Sequence, residues 1–569
     1  MGAKFRLTPS VSRTKIWNTI EESILQLKKK LAKHSNIKEN NLDFWHDIII
    51  KKIKRRFGTI KNHEFEGNDI FKQNNIIKYL QTLHDRFVIV PVDKASNNFA
   101  IICKQFYVQV LRQELGAKNK ENITGNSVYK PLICTEENFF KEQELANIQL
   151  GNVLKEENRN IPLLYWTSKQ HKNPYKFRFI AGASHCTNKA ISLEVSLALK
   201  CIKKHFKNYC GVIKQNSGLN YFWSIDNSME FIEKINELDI ADSIETFDFS
   251  TLYTNLPLDN IYEKLKQLII KMFKHNGSNS ILINADRRRA FWSENSSRKG
   301  YTEYTIGRLL DALEFVLFNT YVKFGDTIFK QIQGIPMGGN ASPFIADLYL
   351  AWSEYCYMEK LSRSKLDYDI KLANLLSKNS RYIDDIAVIN FLGFGSIAKE
   401  IYHPTLTLES SEQGYHTDTF LDLLIRVYNK KFVIGIYHKV DDFSFEVINF
   451  PFPDSNIHSE TGYNCFYSQL IRFFRLCNNI TDFGIRVYMV RAKLCARGYK
   501  ERLMHKCFLK FCRNYPVILK YSASSTESLW VTTYRNNVSS CSVSDVESVK
   551  KLIKPSKIVL NNLNINSND

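Results

Sequence analysis

The sequence predicts an α+β protein in which short hairpins alternate with amphipathic helices. In the segment 381–389, β-branched and aromatic residues flank a tight polar step, which is typical of a hairpin. Elsewhere apolar residues recur at helical spacing, as at Ile261, Leu265, Leu268 and Ile269. Hydrophobic residues make up 44% of the 569 residues, which is enough to build a large core.

The chain is strongly basic, with a formal net charge of +20 and a pI near 9.2. This surplus favours a polyanionic partner, either nucleic acid or an anionic membrane. No stretch approaches the ~18 consecutive apolar residues of a membrane span, so we expect nucleic acid and no membrane. The twelve cysteines and the lack of an apolar signal region predict reduced thiols in the nucleus or cytoplasm.

Two adjacent acids, Asp384 and Asp385, are predicted at the tip of the hairpin 381–389. Carboxylates this close repel each other unless a cation lies between them. Mg²⁺ is commonly held by one or two carboxylates together with substrate phosphates. The alternative is a solvated turn without a ligand, because paired acids are common in turns.

A third acid is predicted inside a strand. Asp248 lies between Phe247 and Phe249, and Pro257 suits the first turn of the helix that follows. A carboxylate buried among aromatic side chains needs a partner. A metal ion is one such partner, and a backbone amide or a lysine is the alternative.

Two further segments suit phosphate groups or a close approach of the backbone to a ligand. Lys176, Arg178 and Ile180 share one face of a predicted strand, where lined-up cations suit a triphosphate or a nucleic-acid backbone. An ordinary exposed edge strand is the alternative. The glycine-rich segment 331–343 allows tight turns next to a ligand but is not a Walker loop.

The polar stretch 274–305 predicts an exposed, irregular insertion. Residues 463–515 predict helices dense in cations interleaved with aromatic residues, which suits a surface that follows a duplex backbone. The candidate nucleic-acid contacts in these helices are Arg472, Arg475, Arg491, Lys493 and Arg497.

The order of these segments resembles a right-hand polymerase of the reverse-transcriptase type. Residues 247–253 resemble motif A, residues 333–343 resemble motif B, and residues 382–385 spell the Y-x-D-D of motif C. A narrower resemblance, over roughly 85–515, is to Penelope-like retroelements, and a more distant one is to telomerase catalytic subunits. The narrower one rests on FDFSTLYTNLP at 247–257, QIQG at 331–334, the stretch 168–172 and the turn 92–95.

The chain departs from that family where Ala95 replaces a glycine, Ser168 a proline and Phe179 another proline. No GIY-YIG endonuclease follows the polymerase segments, which resembles the endonuclease-lacking members.

The resemblance implies an α+β right-hand polymerase, with fingers, palm and thumb and a helical basic N-terminal extension. We expect a basic helical region (1–85), an extension with a Val-Asp-Lys turn (86–160), fingers (161–240), palm (241–450), a helical thumb (451–520) and a flexible tail (521–569).

The implied reaction is RNA-directed DNA synthesis, in which a DNA primer is extended with dNTPs on an RNA template. Two Mg²⁺ or Mn²⁺ ions would stabilise the attacking and leaving oxygens. Asp248 and Asp384 would bridge these ions, and Asp385 and the carbonyl of Phe249 are the further candidate ligands.

Other residues would bind the nucleotide. Lys169 and Arg178 would hold the triphosphate, Tyr253 would exclude the ribose 2′-hydroxyl, and Gln333 and Gly334 would line the nucleotide and template. Tyr253 disfavours an RNA-dependent RNA polymerase. A catalytically idle RNA-binding protein derived from a reverse transcriptase is the other alternative.

Overall fold

The structure is a computed structural model. It describes residues 13–34, 37, 39–58, 74–117, 124–170, 172, 175–294, 299–411, 414, 416–447, 450–453, 455, 457–458 and 460–518. The predicted tail, 521–569, lies outside these residues.

The chain divides into two compact units. The first is Met1–Asp85, Ile448–Ser468 and Val490–Lys510, and the second is Arg86–Val447, Gln469–Met489 and Phe511–Asp569.

The helices of the described residues are α1 (Arg13–His34), α2 (Glu39–Gly58), α3 (Asn74–Arg86), α4 (Lys104–Glu114), α5 (Glu136–Gln149), α6 (Lys189–Ser217), α7 (Ser228–Asn236), α8 (Leu252–Asn255), α9 (Leu258–Asn276), α10 (Ile306–Phe318), α11 (Ser342–Arg363), α12 (Asp367–Leu376), α13 (Phe394–Ile401), α14 (Thr461–Leu476), α15 (Ile480–Ala496) and α16 (Glu501–Asn514).

The strands are β1 (Phe87–Val92), β2 (Ala95–Cys103), β3 (Tyr129–Pro131), β4 (Leu164–Lys169), β5 (Lys176–Ala181), β6 (Ile244–Ser250), β7 (Ser280–Asn284), β8 (Ala290–Ser293), β9 (Tyr301–Tyr304), β10 (Tyr321–Phe324), β11 (Thr327–Gln331), β12 (Ser380–Tyr382), β13 (Asp385–Ile389), β14 (Thr407–Ser410), β15 (Thr417–Phe420), β16 (Leu423–Tyr428) and β17 (Lys431–Ile436).

The first unit contains an antiparallel pair of helices, α1 and α2. The Trp17 ring, near the start of α1, lies 5.5 Å from the Phe57 ring at the end of α2. Lys28 forms an ion pair with Asp43, and Leu42 is buried. The cations in the second half of α2 are exposed: Lys51, Lys52, Lys54, Arg55 and Arg56.

An antiparallel sheet in the order β12-β13-β6-β14 lies in the core of the second unit. Successive side chains of a strand point to opposite faces of its sheet. Phe247, Ile386 and Val388 therefore share one face, and they are buried in a large core with residues of α6, α9, α10 and α11. The other face includes Asp248 and Asp385.

A second sheet, in the order β2-β1-β4-β5, carries the predicted basic strand. One of its faces packs on α4, where the Trp166 ring stacks on Tyr107 at 4.5 Å. Phe443, which follows β17, is buried in the same cluster. The side-chain amide of Asn98 donates to the carbonyl of Glu446 at 2.9 Å. The segment after β17 therefore lies beside the β1–β2 hairpin.

The stretch 274–305 is more ordered than predicted. The strands β7, β8 and β9 form a sheet in the order β8-β7-β9, and the prediction of an irregular insertion is wrong for these strands. Ile281, Leu282 and Ile283 are each at most 2% exposed. This run is too short and too surrounded by polar residues to stand out in the sequence, but burial of three successive side chains stabilises a strand.

The helix after the glycine-rich segment is α11, and its first residue is Ser342. Ala341 is the N-cap, and Pro343 lies in the first turn, where its fixed φ suits the start of a helix. Ile345, Leu348 and Tyr355 face the core and are each at most 1% exposed. Asp347 and Glu354 of the same helix are also buried, so this helix carries charge into the core.

Candidate active site

The register of β13 against β6 places two of the predicted acids side by side. Asp385 pairs directly with Asp248 in this antiparallel ladder, so both side chains lie on the same face. On the opposite face the neighbouring Ile386 and Phe247 are buried. A shift of one residue would turn both carboxylates into the core.

The third acid, Asp384, lies in the two-residue turn between β12 and β13, where Tyr382 pairs with Asp385. The other turn residue, Ile383, has a φ of 54°, in the left-handed region. A β-branched residue rarely adopts this conformation, which costs about 1–3 kcal/mol. The turn is held by the guanidinium of Arg381, which donates to the carbonyl of Ile383 at 3.0 Å. The Phe249 amide donates to the carbonyl of Asp384 at 3.1 Å.

Asp248, Asp384 and Asp385 form an acidic triad. Each carboxylate offers an oxygen atom, and these oxygens all lie within 4.8 Å of one another. Hard divalent ions such as Mg²⁺ prefer oxygen ligands, and three like charges this close need a cation between them. The donor set therefore fits Mg²⁺ or Mn²⁺.

The triad has perturbed proton affinity. Burial, and then the charge of Asp384, raise the pKa of Asp385 to about 6. Burial, and then the charge of Asp384, also raise the pKa of Asp248. Solvent reaches this side chain, but protein surrounds much of its carboxyl group. Both effects follow from placing like charges together in a low-dielectric site.

Three lysines oppose these shifts, and none of them was predicted as a site residue. Lys172 lowers the pKa of Asp248. Lys94, in the turn between β1 and β2, and Lys439, in the 3-10 turn Lys439–Asp442, lower the pKa of both Asp248 and Asp385. Burial and then Lys439 lower the pKa of Lys94. The sequence signal for Lys94 was the Val-Asp-Lys turn, whereas nothing in the sequence marks Lys439.

The predicted triphosphate ligands lie on the second sheet. Lys169 pairs with Lys176 across β4 and β5, and Arg178 lies two residues further along on the same face. Arg178 is 3.4 Å from the carboxylate of Asp93. Burial and then Arg178 lower the pKa of Lys169, which also feels the charge of Asp248. The structure therefore brings Lys169 into electrostatic range of Asp248, one of the triad.

Tyr253 and Gly334 meet although they come from different motifs. Tyr253 lies in α8, and its backbone carbonyl accepts a hydrogen bond of 2.7 Å from the amide of Ile335. Burial, and then Asp384, raise the pKa of Tyr253 to about 12. Gly334 has a φ of 75°, and a Cβ atom there would lie 2.5 Å from the carbonyl oxygen of Tyr253.

The glycine-rich segment also contacts β5. A Cβ atom at Gly338 would lie 2.7 Å from the carbonyl oxygen of Ala181, and the Ala181 amide donates to Met337. Gln333 is half-buried, and its carbonyl accepts from the side chain of Gln331. The segment thus joins the second sheet to α8, between two groups of candidate nucleotide-binding residues.

The five cations predicted to contact nucleic acid differ in their exposure and in their partners within the protein. Arg475 is exposed on α14, as a phosphate contact requires. Arg472 is half-buried and forms an ion pair with Asp422. Lys493 is half-buried on α15 and has contacts within the protein.

Arg491 and Arg497 correct the prediction, because both are buried and bind groups of the protein itself. The Arg491 side chain is 5% exposed and pairs with Glu501. Arg497 donates to the carbonyl of Phe450 at 3.2 Å and stacks on Phe452 at 5.0 Å. Helical periodicity could not reveal which cations face inward, because arginine stems pack well in apolar surroundings.

The fold and the site together define a class of protein. The chain has an α+β, right-hand polymerase fold, with an acidic triad on the antiparallel sheet β12-β13-β6-β14. The structure is similar to that of telomerase from Candida albicans in complex with a TWJ fragment of telomeric RNA. The likeness covers 87% of this chain and 76% of the other, with a TM-score of 0.50 and 12% sequence identity. At this identity it concerns the fold alone.

Two other solved structures are more distant. Apo telomerase from Candida tropicalis has a TM-score of 0.41 and 13% identity over 89% of this chain and 80% of that one. The Sicinivirus 3Dpol RNA-dependent RNA polymerase has a TM-score of 0.31 and 12% identity over 51% of this chain and 56% of that one. Both scores are too low to support an argument.

No protein-family model and no curated protein matches the sequence. Among the described residues, none of the helices is both long and apolar enough to cross a bilayer.

Proposed function

We propose that this protein is an RNA-directed DNA polymerase of the Penelope-like type, which extends a DNA primer with dNTPs on an RNA template. The observation that carries the proposal is the acidic triad, in which Asp384 lies in a strained turn and Asp385 pairs with Asp248. The polymerase fold supports the same function. The motifs at 247–257 and 331–334 support the narrower family.

Asp248, Asp384 and Asp385 would hold the divalent ions, which supply charge neutralisation at the attacking and leaving oxygens. The primer 3′-hydroxyl gives up its proton to solvent, and its O3′ atom forms a bond to the α-phosphorus of the dNTP. The bond from that phosphorus to the bridging oxygen breaks, and pyrophosphate leaves. Lys169 and Arg178 hold the phosphates, and this positioning is most of what the protein contributes to phosphoryl transfer.

Tyr253 is the proposed selector of the sugar. It lies in α8, directly after the strand that carries Asp248, and its hydroxyl is in electrostatic range of Asp384. Its ring would therefore lie close to the nucleotide that the triad would process. The ring would clash with a ribose 2′-hydroxyl. A polymerase with this residue should therefore prefer dNTPs over rNTPs.

Primer extension tests the proposal. Purified protein is given a DNA primer, an RNA template, dNTPs and Mg²⁺ or Mn²⁺, and the product length is measured. We expect extension by the wild type and none by Asp384→Asn. Asp326→Asn is the matched control, since Asp326 is an exposed acid in the turn between β10 and β11.

Two outcomes would contradict the proposal. The first is undiminished product from Asp384→Asn. The second is salt-dependent RNA binding by the wild type without any nucleotide incorporation, which would identify the idle RNA-binding protein. Incorporation of rNTPs as readily as dNTPs would instead indicate an RNA polymerase.

A further inference from the structure

Arg381 is a buried charged residue of the second unit. Its side chain is 0% exposed, although it lies only two residues before Ile383, the first residue of the turn that contains Asp384. Its Nη1 atom lies 2.8 Å from Asp347, and its Nε and Nη2 atoms lie 2.5 and 3.2 Å from the two oxygens of Glu354. Both acids belong to α11, the helix after the glycine-rich segment.

The two acids are themselves held by polar groups. Ser224 donates to Asp347 at 2.8 Å, and the Lys203 amine lies 2.8 Å from the same carboxylate. Tyr402 donates to Glu354 at 2.9 Å. The buried cluster thus has two cations and two anions, and the guanidinium cannot easily rotate.

The guanidinium also binds the turn. Its Nη1 atom, oriented by Asp347, donates to the carbonyl of Ile383 at 3.0 Å. The Arg381 backbone is fixed as well, because its amide donates to Trp223 at 2.9 Å and its carbonyl accepts from Ile225 at 2.8 Å. The strained residue Ile383 is therefore tied to a rigid point in the core.

A buried ion cluster is weak evidence for stability, because desolvation of the charges offsets much of their attraction. Apolar residues of similar volume would fill the same space. What they could not do is donate a directed hydrogen bond to the carbonyl of Ile383, next to Asp384. The geometry of the cluster therefore points to a role in shaping the turn.

We infer that Arg381 is a positioning residue for the acidic triad. Its guanidinium, which Asp347 and Glu354 orient, holds the Ile383-Asp384 turn in the conformation that binds metal. The inference rests on the proposed function for the identity of the ligand. It also links the helix after the glycine-rich segment to the acidic turn, since Asp347 and Glu354 both belong to α11.

The test measures Mn²⁺ binding to the protein in the absence of nucleotide and nucleic acid. The electron paramagnetic resonance signal of free Mn²⁺ reports how much of the ion remains unbound. Arg381→Lys keeps the charge but lacks the planar fork that reaches two carboxylates and a carbonyl. We expect Mn²⁺ to bind this variant about tenfold more weakly, in line with the loss caused by removing a group that orients a metal ligand.

Two comparisons separate positioning from a loss of folding. Arg426→Lys is the matched control. Arg426 lies on β16, and its side chain pairs with Asp482 of α15 and not with the turn. It should bind Mn²⁺ as the wild type does. Adding Ile383→Gly to Arg381→Lys should restore part of the affinity, because glycine adopts a φ near 54° without strain.

Wild-type Mn²⁺ affinity in folded Arg381→Lys would overturn the inference, as would an equal loss in Arg426→Lys. If Arg381→Lys does not fold, Asp347→Asn takes its place, because it removes the charge that orients Nη1 and leaves the pair with Glu354. Wild-type affinity in that folded variant would have the same meaning.

The inference and the proposed function can fail separately. Mn²⁺ binding that is lost in Asp384→Asn, without nucleotide incorporation by the wild type, would refute the polymerase and leave the role of Arg381 testable. Incorporation by the wild type together with undiminished Mn²⁺ binding in Arg381→Lys would refute only the inference.

Discussion

At Gly334 two parts of the chain approach so closely that no side chain fits between them. The missing Cβ atom would lie 2.5 Å from the carbonyl oxygen of Tyr253 and 2.7 Å from two backbone atoms of Thr254. The Gly334 amide also donates to the carbonyl of Leu256 at 2.9 Å. A change at this glycine would therefore displace the proposed sugar selector.

We expect Gly334→Ala to destabilise the protein by more than about 2 kcal/mol, because left-handed strain and a backbone clash add together. Gly277→Ala is the control, since Gly277 has the same φ of 75° but no described atom within 4 Å of its missing Cβ. Unfolding in urea measures both. Equal losses in the two variants would show that the contact with Tyr253 is unimportant.

Lys234 has a different problem, a buried charge. Its buried Nζ atom has no hydrogen-bond partner among the residues that the structure describes, and burial lowers its pKa to about 8. Between pH 8 and its usual pKa of 10.5, the unfolded chain therefore holds a proton that the folded protein has released. The free energy of unfolding must therefore rise with pH across that window, because the folded protein no longer has to bury a charged amine.

We expect Lys234→Met to raise the free energy of unfolding at pH 7 by about 1–3 kcal/mol, since the uncompensated charge is removed. The difference between variant and wild type should shrink from pH 8 to 10. Lys214→Met, an exposed lysine paired with Glu237, is the control and should change little. A difference that does not vary with pH would contradict the assignment.

Among the secondary-structure elements, the strands of the sheet β8-β7-β9 were not predicted from the sequence. The hairpin of Asp384 and the strand of Asp248 could be predicted, because β-branched residues flank a polar step at one and aromatic residues alternate with the acid at the other. The three strands between 280 and 304 were missed, since they are stabilised by contacts with α6 that are distant in sequence.

One such contact is the ion pair of Arg287, in the turn between β7 and β8, with Glu194 of α6. The two charged atoms are 2.6 Å apart, and the Glu194 side chain is 9% exposed. The Tyr304 hydroxyl donates to the same carboxylate at 2.5 Å. The pair therefore attaches the small sheet to a core helix.

We expect Arg287→Ala to lower the free energy of unfolding by about 2–4 kcal/mol, because it leaves a buried carboxylate without its cation. Arg288→Ala is the matched control, since the neighbouring arginine is exposed, and its loss should stay within about 0.5 kcal/mol. Chemical denaturation measures both. Similar effects of the two substitutions would show that the ion pair does not hold the sheet.

For the molecule as a whole, the net charge of +20 made a polyanionic partner predictable, but not which cations would meet it. Charge counts cannot separate Arg475, which is exposed, from Arg497, which is buried on Phe452. The site was predictable to the level of its three acids through the order of its motifs. Lys439 and the buried Arg381 cluster required the packing of the whole chain.

We expect the affinity for single-stranded RNA to fall steeply with salt. Arg475→Ala should reduce the slope of log affinity against log salt by about 0.7, the value for one phosphate contact. Arg497→Ala should leave the slope unchanged and instead lower stability by about 1–3 kcal/mol. Binding titrations at several salt concentrations decide this, and the opposite pattern would show that Arg497 binds RNA.

The pairing of Asp385 with Asp248 also has a consequence for how the protein is made. The two acids are 137 residues apart in the sequence, nearly a third of the second unit, so the ribosome releases β6 long before β13. At about 5–20 residues per second, that interval is on the order of ten seconds. During it, β6 is available to the wrong partners, and any chain that stops before Ile389 lacks the complete strand that pairs with it.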